Sequence, residues 1–199
     1  ANTAKPLEVL QSALQGEYEV HALDVQDLPI FLAYAAPLSD QVTGRKPRLP
    51  AGRGLSRVDA MRGAAAEAIE LRSSLAHRIP DNRYGFTRVN GLAHLRVNSL
   101  TGETSILVPA QQIFLDYAAC HGEDLLFDAD STGCAAASTL SVAYKRGLLE
   151  CIERDAVATW WYGRQSRPLL PLSMIDMVAP RISWWLSRRE RTTLLLDMT

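Results

Sequence analysis

Two glutamate pairs, Glu67/Glu70 and Glu150/Glu153, carry the clearest chemical potential in this chain. Each is a Glu-x-x-Glu, and residues three apart on a helix share a face. Carboxylates crowded on one face repel one another and lose hydration, and a cation between them relieves both costs. Arg154, next to the second pair, adds a guanidinium suited to phosphate or carboxylate. Two pairs on two helices would offer four oxygen-donor side chains to one site, a set that suits Mg2+, Ca2+ or Mn2+. A carboxylate-bridged iron or manganese site of the helical-bundle kind would want a histidine three residues after a glutamate. Ser73 and Ala156 occupy those positions. One such pair is also what a solvated helix face carries, so the spacing leaves open both a shared metal site and two solvated faces.

Other signals are weaker. Gly52-Arg53-Gly54-Leu55-Ser56, just before a helix, would serve as a phosphate cradle or as a flexible loop. It is neither a Walker A loop nor a dinucleotide fingerprint. Gly63, Ala64, Ala66, Ala68 and Ser74 surround the first glutamate pair and leave room for a ligand near the backbone. His21, His77, His94 and His121 have no ligand spacing, and no nucleophile elbow or cysteine–histidine signature is present. Trp160, Trp161, Trp184 and Trp185 belong to a core or to a peptide-binding surface.

The elements that must position these residues follow from periodicity. Leu7, Leu10 and Leu14 predict a short helix over 5–14, and the apolar run 28–36 predicts a buried strand. Residues 37–54, rich in Pro, Gly, Arg and Lys, read as a long basic loop. Ser56 with Asp59 resembles a capping box opening a helix over 57–77, with Val58, Met61, Ala65, Ala68 and Arg72 to Leu75 on one stripe. Strands are expected over 92–99 and 104–109, joined by a turn at Thr101-Gly102, with a further strand over 113–115. An acidic irregular stretch follows, and Thr139 then caps a second long helix to about residue 162. A short amphipathic piece carries Trp184 and Trp185, and 193–198 reads as a strand entering a sheet, which suggests a fragment of a longer chain.

Composition sets the outer bounds. The 199 residues are 47% hydrophobic and 22% charged, with a net charge of −1, which suits a folded core and gives no electrostatic reason for general nucleic-acid binding. No apolar window reaches the length of a membrane helix, and no signal peptide is visible. Three cysteines without paired spacing argue against a disulfide scaffold or zinc site and for buried thiols in a reducing compartment, hence a cytoplasmic location.

Residues 52–70, GRGLSRVDAMRGAAAEAIE, and 130–139, DSTGCAAAST, followed by RGLLECIERDAVATWW at 146–161, resemble the two ATP-site helices of the YcaO family. The resemblance implies a mixed α+β fold, a YcaO-like domain in which a sheet supports two long helices bearing the E-x-x-E pairs, with residues 1–199 as the N-terminal part of a single domain. It implies ATP and Mg2+ as cofactors, used to activate a peptide amide oxygen as a phosphate ester. The expected reaction is azoline-forming cyclodehydration of Cys, Ser or Thr in a ribosomally made precursor peptide, as in bacteriocin biosynthesis. Thioamide formation, or a non-catalytic peptide- or nucleotide-binding scaffold, are the alternatives. By the same resemblance Glu67, Glu70, Glu150 and Glu153 are the metal ligands, and Arg154, Lys5, Ser12 and Ser138 the nucleotide contacts. The implied partners are the precursor peptide, a peptide-recognition protein and a second copy of the chain in a homodimer, with no nucleic acid and no membrane. The chain departs from the family pattern at Arg53, Gly63, Ser138, Val142 and Arg146, on the nucleotide contacts and not the carboxylates.

Overall fold

The computed structural model describes residues 6–39, 48–78 and 84–198. Lys5 and residues 40–47 of the expected basic loop lie outside them. Helix α1 (Pro6–Ala13) leads into a three-stranded antiparallel sheet of β1 (Tyr18–Leu23), β2 (Phe31–Pro37) and β3 (Ala51–Gly54). Helix α2 (Arg57–Ser74) lies across this sheet. A second antiparallel sheet follows, with β4 (Thr87–Val89), β5 (Leu92–Asn98) and β6 (Ser105–Pro109), then the short helix α3 (Tyr117–His121). The 24-residue helix α4 (Leu140–Gly163) comes next. The chain closes with β7 (Leu169–Leu170), α5 (Ser173–Val178), α6 (Pro180–Ser187) and β8 (Leu195–Leu196), where β7 and β8 pair antiparallel. The architecture is the mixed α+β class expected.

Small side chains set how closely α2 meets its sheet. Ala60, Ala64 and Ala68 are fully buried against Ala33 and Ala35 of β2 and the glycines of β3. A Cβ on Gly52 would overlap the Ala60 carbonyl oxygen and the Ala64 nitrogen, and one on Gly54 would lie 2.6 Å from the Asp59 Cβ. Gly52-Arg53-Gly54 is therefore a strand pressed onto the helix and not a loose loop. The buried stripe is Ala60, Ala64, Ala65, Ala68, Leu71 and Ser74. It shares Ala65, Ala68 and Ser74 with the expected one but is turned toward Ala60 and Ala64, and Val58 is exposed. Apolar bulk set that expectation, whereas close strand contact selected alanine.

Both helix starts form as their side chains dictate. Ser56 Oγ accepts from the Asp59 N–H (3.1 Å) and donates to Asp59 Oδ2 (2.6 Å), so the second half of a capping box is replaced by a hydroxyl–carboxylate bond. Thr139 Oγ1 accepts from the Val142 N–H (3.3 Å).

A second core holds Ala93, Leu95, Ala110, Phe114 and Tyr117, with Tyr84 and Phe86 packed on it. The strand expected over 113–115 is absent; Leu115 makes only an isolated parallel bridge to Leu75, because a 3-10 turn at Ala110–Gln112 redirects the chain. Gln111 is buried and fixes the acidic stretch that follows. Its amide donates to Glu123 Oε2 (3.0 Å) and the Asp124 carbonyl (2.9 Å), and its oxygen accepts from the Leu126 and Phe127 N–H groups (3.0 and 3.2 Å). The strand expected over 193–198 is reduced to β8. The thiols correct the expectation of burial: all three are free, and Cys120 and Cys151 are exposed. Along α4, Leu148, Leu149 and Ile152 are exposed as well. No described helix is long and apolar enough to cross a membrane.

The β3–α2 contact generates a stability prediction. Gly52→Ala should lower unfolding free energy by about 3 kcal/mol, toward the top of the overpacking range, because helix backbone is what its methyl meets. Gly85→Ala, which meets nothing within 4 Å, should stay within about 0.5 kcal/mol of wild type. Chemical denaturation of both variants checks the pair, and equal stabilities would refute the close-contact account.

Candidate functional site

The turn between Asp130 and Thr139 joins the two long helices, which share no extensive direct contact among the described residues. The Ala136 N–H donates a short hydrogen bond to Glu70 Oε1 on α2. The Gly133 N–H donates to Glu150 Oε2 on α4 (3.1 Å). Gly133 has φ +83°, a left-handed conformation that glycine adopts without strain. Its carbonyl packs so closely on Gly147 that a Cβ there would overlap it. Arg146 Nη1 donates to the Ala136 carbonyl (3.0 Å), and Ser74 Oγ lies 3.5 Å from Cys134 Sγ. Asp130 Oδ1 accepts from the Thr132 N–H (2.8 Å), and its bonds to Thr132 hold its carboxyl below the usual range.

Beside these contacts lies an open cavity of about 810 Å³. Glu67 and Glu70 reach it from α2, Glu150 and Arg154 from α4, and Asp128 and Asp130 from the connecting stretch. Gly63 and Ala66 line its floor, so part of the small-residue stripe does leave space, while Ala64 and Ala68 are spent on the sheet. Arg154 is held in place: it donates to Glu150 Oε1 (2.8 Å) and Thr132 Oγ1 (2.8 Å). Glu67 Oε2 accepts from the Ala51 N–H (3.2 Å). Burial raises the pKa of Glu70; the Ala136 N–H partly offsets this, and the charges of Glu150 and Glu67 push it up again. Glu70 thus senses the charges of the other two carboxylates across one space.

The structure separates the remaining expected residues. Glu153 is exposed on a neighbouring stripe of α4, outside the cavity lining. Ser138 is exposed in the connecting turn, also outside the lining. Ser12 lies on α1 in a separate shallow depression beside Tyr18 and Leu38. Lys5 lies outside the described residues. Reasoning from sequence missed Arg48 and Asp128 in the cavity wall. Arg48 forms a bidentate pair with the almost fully buried Asp116 (2.9 and 3.0 Å), a residue in the left-handed region at φ +62°. Residues 68 positions apart leave no local signal of such a pair.

The model of the YcaO cyclodehydratase family, described as ATP- and Mg2+-binding, matches residues 85–199, more than half of the chain. The chain belongs to the YcaO family. A relative, an uncharacterized protein of Methanothermobacter thermautotrophicus, is 28% identical over 158 aligned positions, taking in 69% of this chain and 40% of the relative. Among solved structures, YcaO from Methanopyrus kandleri bound with AMPPCP and Mg2+ has a TM-score of 0.66 and 22% identity, over 89% of this chain and 50% of that one. A heterocyclase in complex with substrate and cofactor has a TM-score of 0.73 and 19% identity, over 98% of this chain and 33% of that one. The microcin synthetase complex of E. coli is also similar, with a TM-score of 0.60 and 13% identity. At these identities the structures establish a shared fold. The chain spans half or less of the length of the relatives it matches.

ATP and Mg2+ are the cofactors of the YcaO family, and the cavity's donor set fits them. It is anionic and all-oxygen, as Mg2+ prefers, with a guanidinium alongside for phosphate. Among the described residues no three His, Cys, Asp or Glu side chains converge closely enough to hold an ion by themselves. Mg2+ typically takes only one or two carboxylates and completes its shell with water and substrate phosphate, so a preformed protein cage is not what a nucleotide-linked site requires.

The raised pKa of Glu70 has a definite sign. Its proton is held more tightly in the fold than in the unfolded chain, so its contribution to stability is present below the unfolded value and is lost as pH rises through the folded one. Without divalent cations, Glu70→Gln should therefore gain stability relative to wild type between pH 4 and pH 7.5. Denaturation of both proteins at the two pH values checks this; a constant difference would show that Glu70 feels neither burial nor its neighbours.

Proposed function

We propose that residues 1–199 are the N-terminal part of one YcaO-like domain in an enzyme that uses ATP and Mg2+ to activate a backbone amide of a precursor peptide. The reaction we assign is azoline-forming cyclodehydration of Cys, Ser or Thr. The observation that carries this reading is the convergence of Glu67, Glu70 and Glu150 on one cavity beside Arg154, in a chain of an ATP- and Mg2+-binding family. The relatives described as a heterocyclase with substrate and a microcin synthetase support the peptide chemistry.

Carboxylates among Glu67, Glu70 and Glu150 would hold Mg2+, one or two to an ion, with phosphate and water completing its shell; Glu153, the fourth carboxylate of the expected set, is not part of the cavity lining. Bound together, ATP supplies the phosphoryl group and Mg2+ neutralises its charge. Arg154, braced by Glu150 and Thr132, would orient phosphate oxygens. The Asp130–Thr139 turn keeps the two helices at a fixed separation, which matters because phosphoryl transfer relies on positioning and electrostatics. A non-catalytic peptide- or nucleotide-binding scaffold is the second reading; Ser12 and Ser138, expected as nucleotide contacts, lie outside the cavity, which bears against full catalytic machinery.

Glu150→Gln in the full-length protein distinguishes them. The amide keeps the size but removes one charge from the cation site and weakens the brace on Arg154. ATP-dependent peptide modification should fall by about 10²-fold or more, with little change in melting temperature. Peptide mass and phosphate release are the readouts; loss of water from the peptide marks azoline formation, and exchange of oxygen for sulfur marks thioamidation. Wild-type turnover by the variant would remove Glu150 from the site. Absence of nucleotide turnover in the wild type would favour the scaffold.

A further inference from the structure

We propose that a second cavity, between α6 and the loop joining β1 to β2, is a docking site for an acidic peptide segment. The cavity is about 810 Å³ and shares no lining residue with the carboxylate cavity. Arg181, Trp184, Trp185, Arg188 and Arg189 form one wall, and Asp27 lies on the other. Two of the guanidiniums stack on indoles: Arg188 lies 4.7 Å from the Trp184 ring centre and Arg189 lies 4.0 Å from that of Trp185. Arg181 lies over Phe31, 5.7 Å from its ring centre, which ties α6 to β2.

Several arginines elsewhere in this fold are neutralised by a carboxylate. Arg48, Arg57, Arg62, Arg78 and Arg154 each pair with a carboxylate. Among the described residues no carboxylate pairs with Arg181, Arg188 or Arg189, and none of the three side chains donates a hydrogen bond. Trp185 Nε1 is buried and likewise has no acceptor among the described residues. A guanidinium held over an indole keeps N–H groups available while giving up rotational freedom, so it is organised in advance for charge-assisted bonds to carboxylates.

Charge sets the occupant. Three guanidiniums face one carboxylate, and the sign is divided between the walls: basic on α6, acidic at Asp27. A uniform polyanion such as a nucleic-acid backbone would meet Asp27 unfavourably. A peptide can direct Asp or Glu side chains to α6 while its apolar residues rest on Trp184, which is 61% exposed, and on the neighbouring Leu28 and Pro29. The proposal rests on the functional reading above only in identifying this peptide with the modified substrate.

The test uses the full-length protein and three fluorescein-labelled probes: a peptide of mixed Asp, Glu, Leu and Ser; its Asn/Gln counterpart; and a uridine oligonucleotide. Anisotropy should show binding of the acidic peptide, with affinity at least about tenfold lower for the amide counterpart and for the oligonucleotide. Arg188→Gln/Arg189→Gln should weaken the acidic peptide by about tenfold or more, while Arg188→Lys/Arg189→Lys should retain part of the affinity because charge is kept but bidentate geometry is lost. Circular dichroism confirms that both variants fold. Equal binding of the amide peptide, tighter binding of the oligonucleotide, or an unchanged affinity in a folded Gln variant would overturn the site. Phosphate release is measured in parallel: acidic-peptide binding that depends on Arg188 and Arg189, without nucleotide turnover, keeps this site and overturns the functional reading. Turnover with arginine-independent binding does the reverse.

Discussion

Everything at the carboxylate cavity depends on one turn being tied to two helices at once. Ala136 donates to Glu70 on α2, and Gly133 donates to Glu150 on α4. The helices share no extensive contact, so these bonds, with the close seating of Gly133 on Gly147, set the width of the space between them. Hydrogen bonds from backbone N–H to carboxylate are charge-assisted and directional. They also explain an economy in the design: two of the glutamates that face the cavity, Glu70 and Glu150, are the ones that hold the turn, so charge placement and helix placement are not separable. A bound cation would strengthen one role without abolishing the other, because each carboxylate has about four acceptor sites.

The orientation of α2 has a separate cause. Ala60, Ala64 and Ala68 are pressed against glycine and alanine of the sheet, and that contact turns Gly63, Ala66, Glu67 and Glu70 toward the cavity. Replacing sheet-facing alanines with larger residues would fill no void; it would lift the helix and move its glutamates. On the other side Gln111 performs a comparable task with hydrogen bonds, fixing the backbone through Phe127 just ahead of Asp128 and Asp130. The site is thus supported by close packing from one side and by a buried amide network from the other. α4 has less support within this chain, and its Leu148, Leu149 and Ile152 are exposed in a chain that spans half or less of its relatives' length.

Much of this was legible from residue types. Ser56 and Thr139 mark the starts of the long helices because their side chains satisfy N–H groups that a helix leaves unpaired. The E-x-x-E spacing brought out Glu67, Glu70 and Glu150 together with Glu153, and the stretch ahead of the second helix read only as acidic and irregular. Other features had no local signal. β3 is glycine-rich, so strand propensity argues against it; it exists because α2 needs a partner without side chains. Residues 113–115 have strand composition, but the preceding 3-10 turn and the Leu75 bridge decide their path. Glu153 shares a helix with Glu150 but is the more exposed of the two, a difference that the spacing alone does not carry, since Glu67 and Glu70 are equally spaced and both line the cavity. The α6 basic wall was visible only as a tryptophan pair, because its meaning depends on a loop more than 150 residues earlier in the chain.

The central claim is that carboxylates from both helices serve one bound ion. The most direct measurement is a double-mutant cycle on the affinity for a non-hydrolysable ATP analogue with Mg2+, using Glu67→Gln, Glu150→Gln and the double variant, read by calorimetry. Residues that share one ligand couple, so the losses should be non-additive by at least about 0.5 kcal/mol. Losses that simply add, or affinities unchanged by either substitution, would place the two glutamates at independent sites and contradict the account.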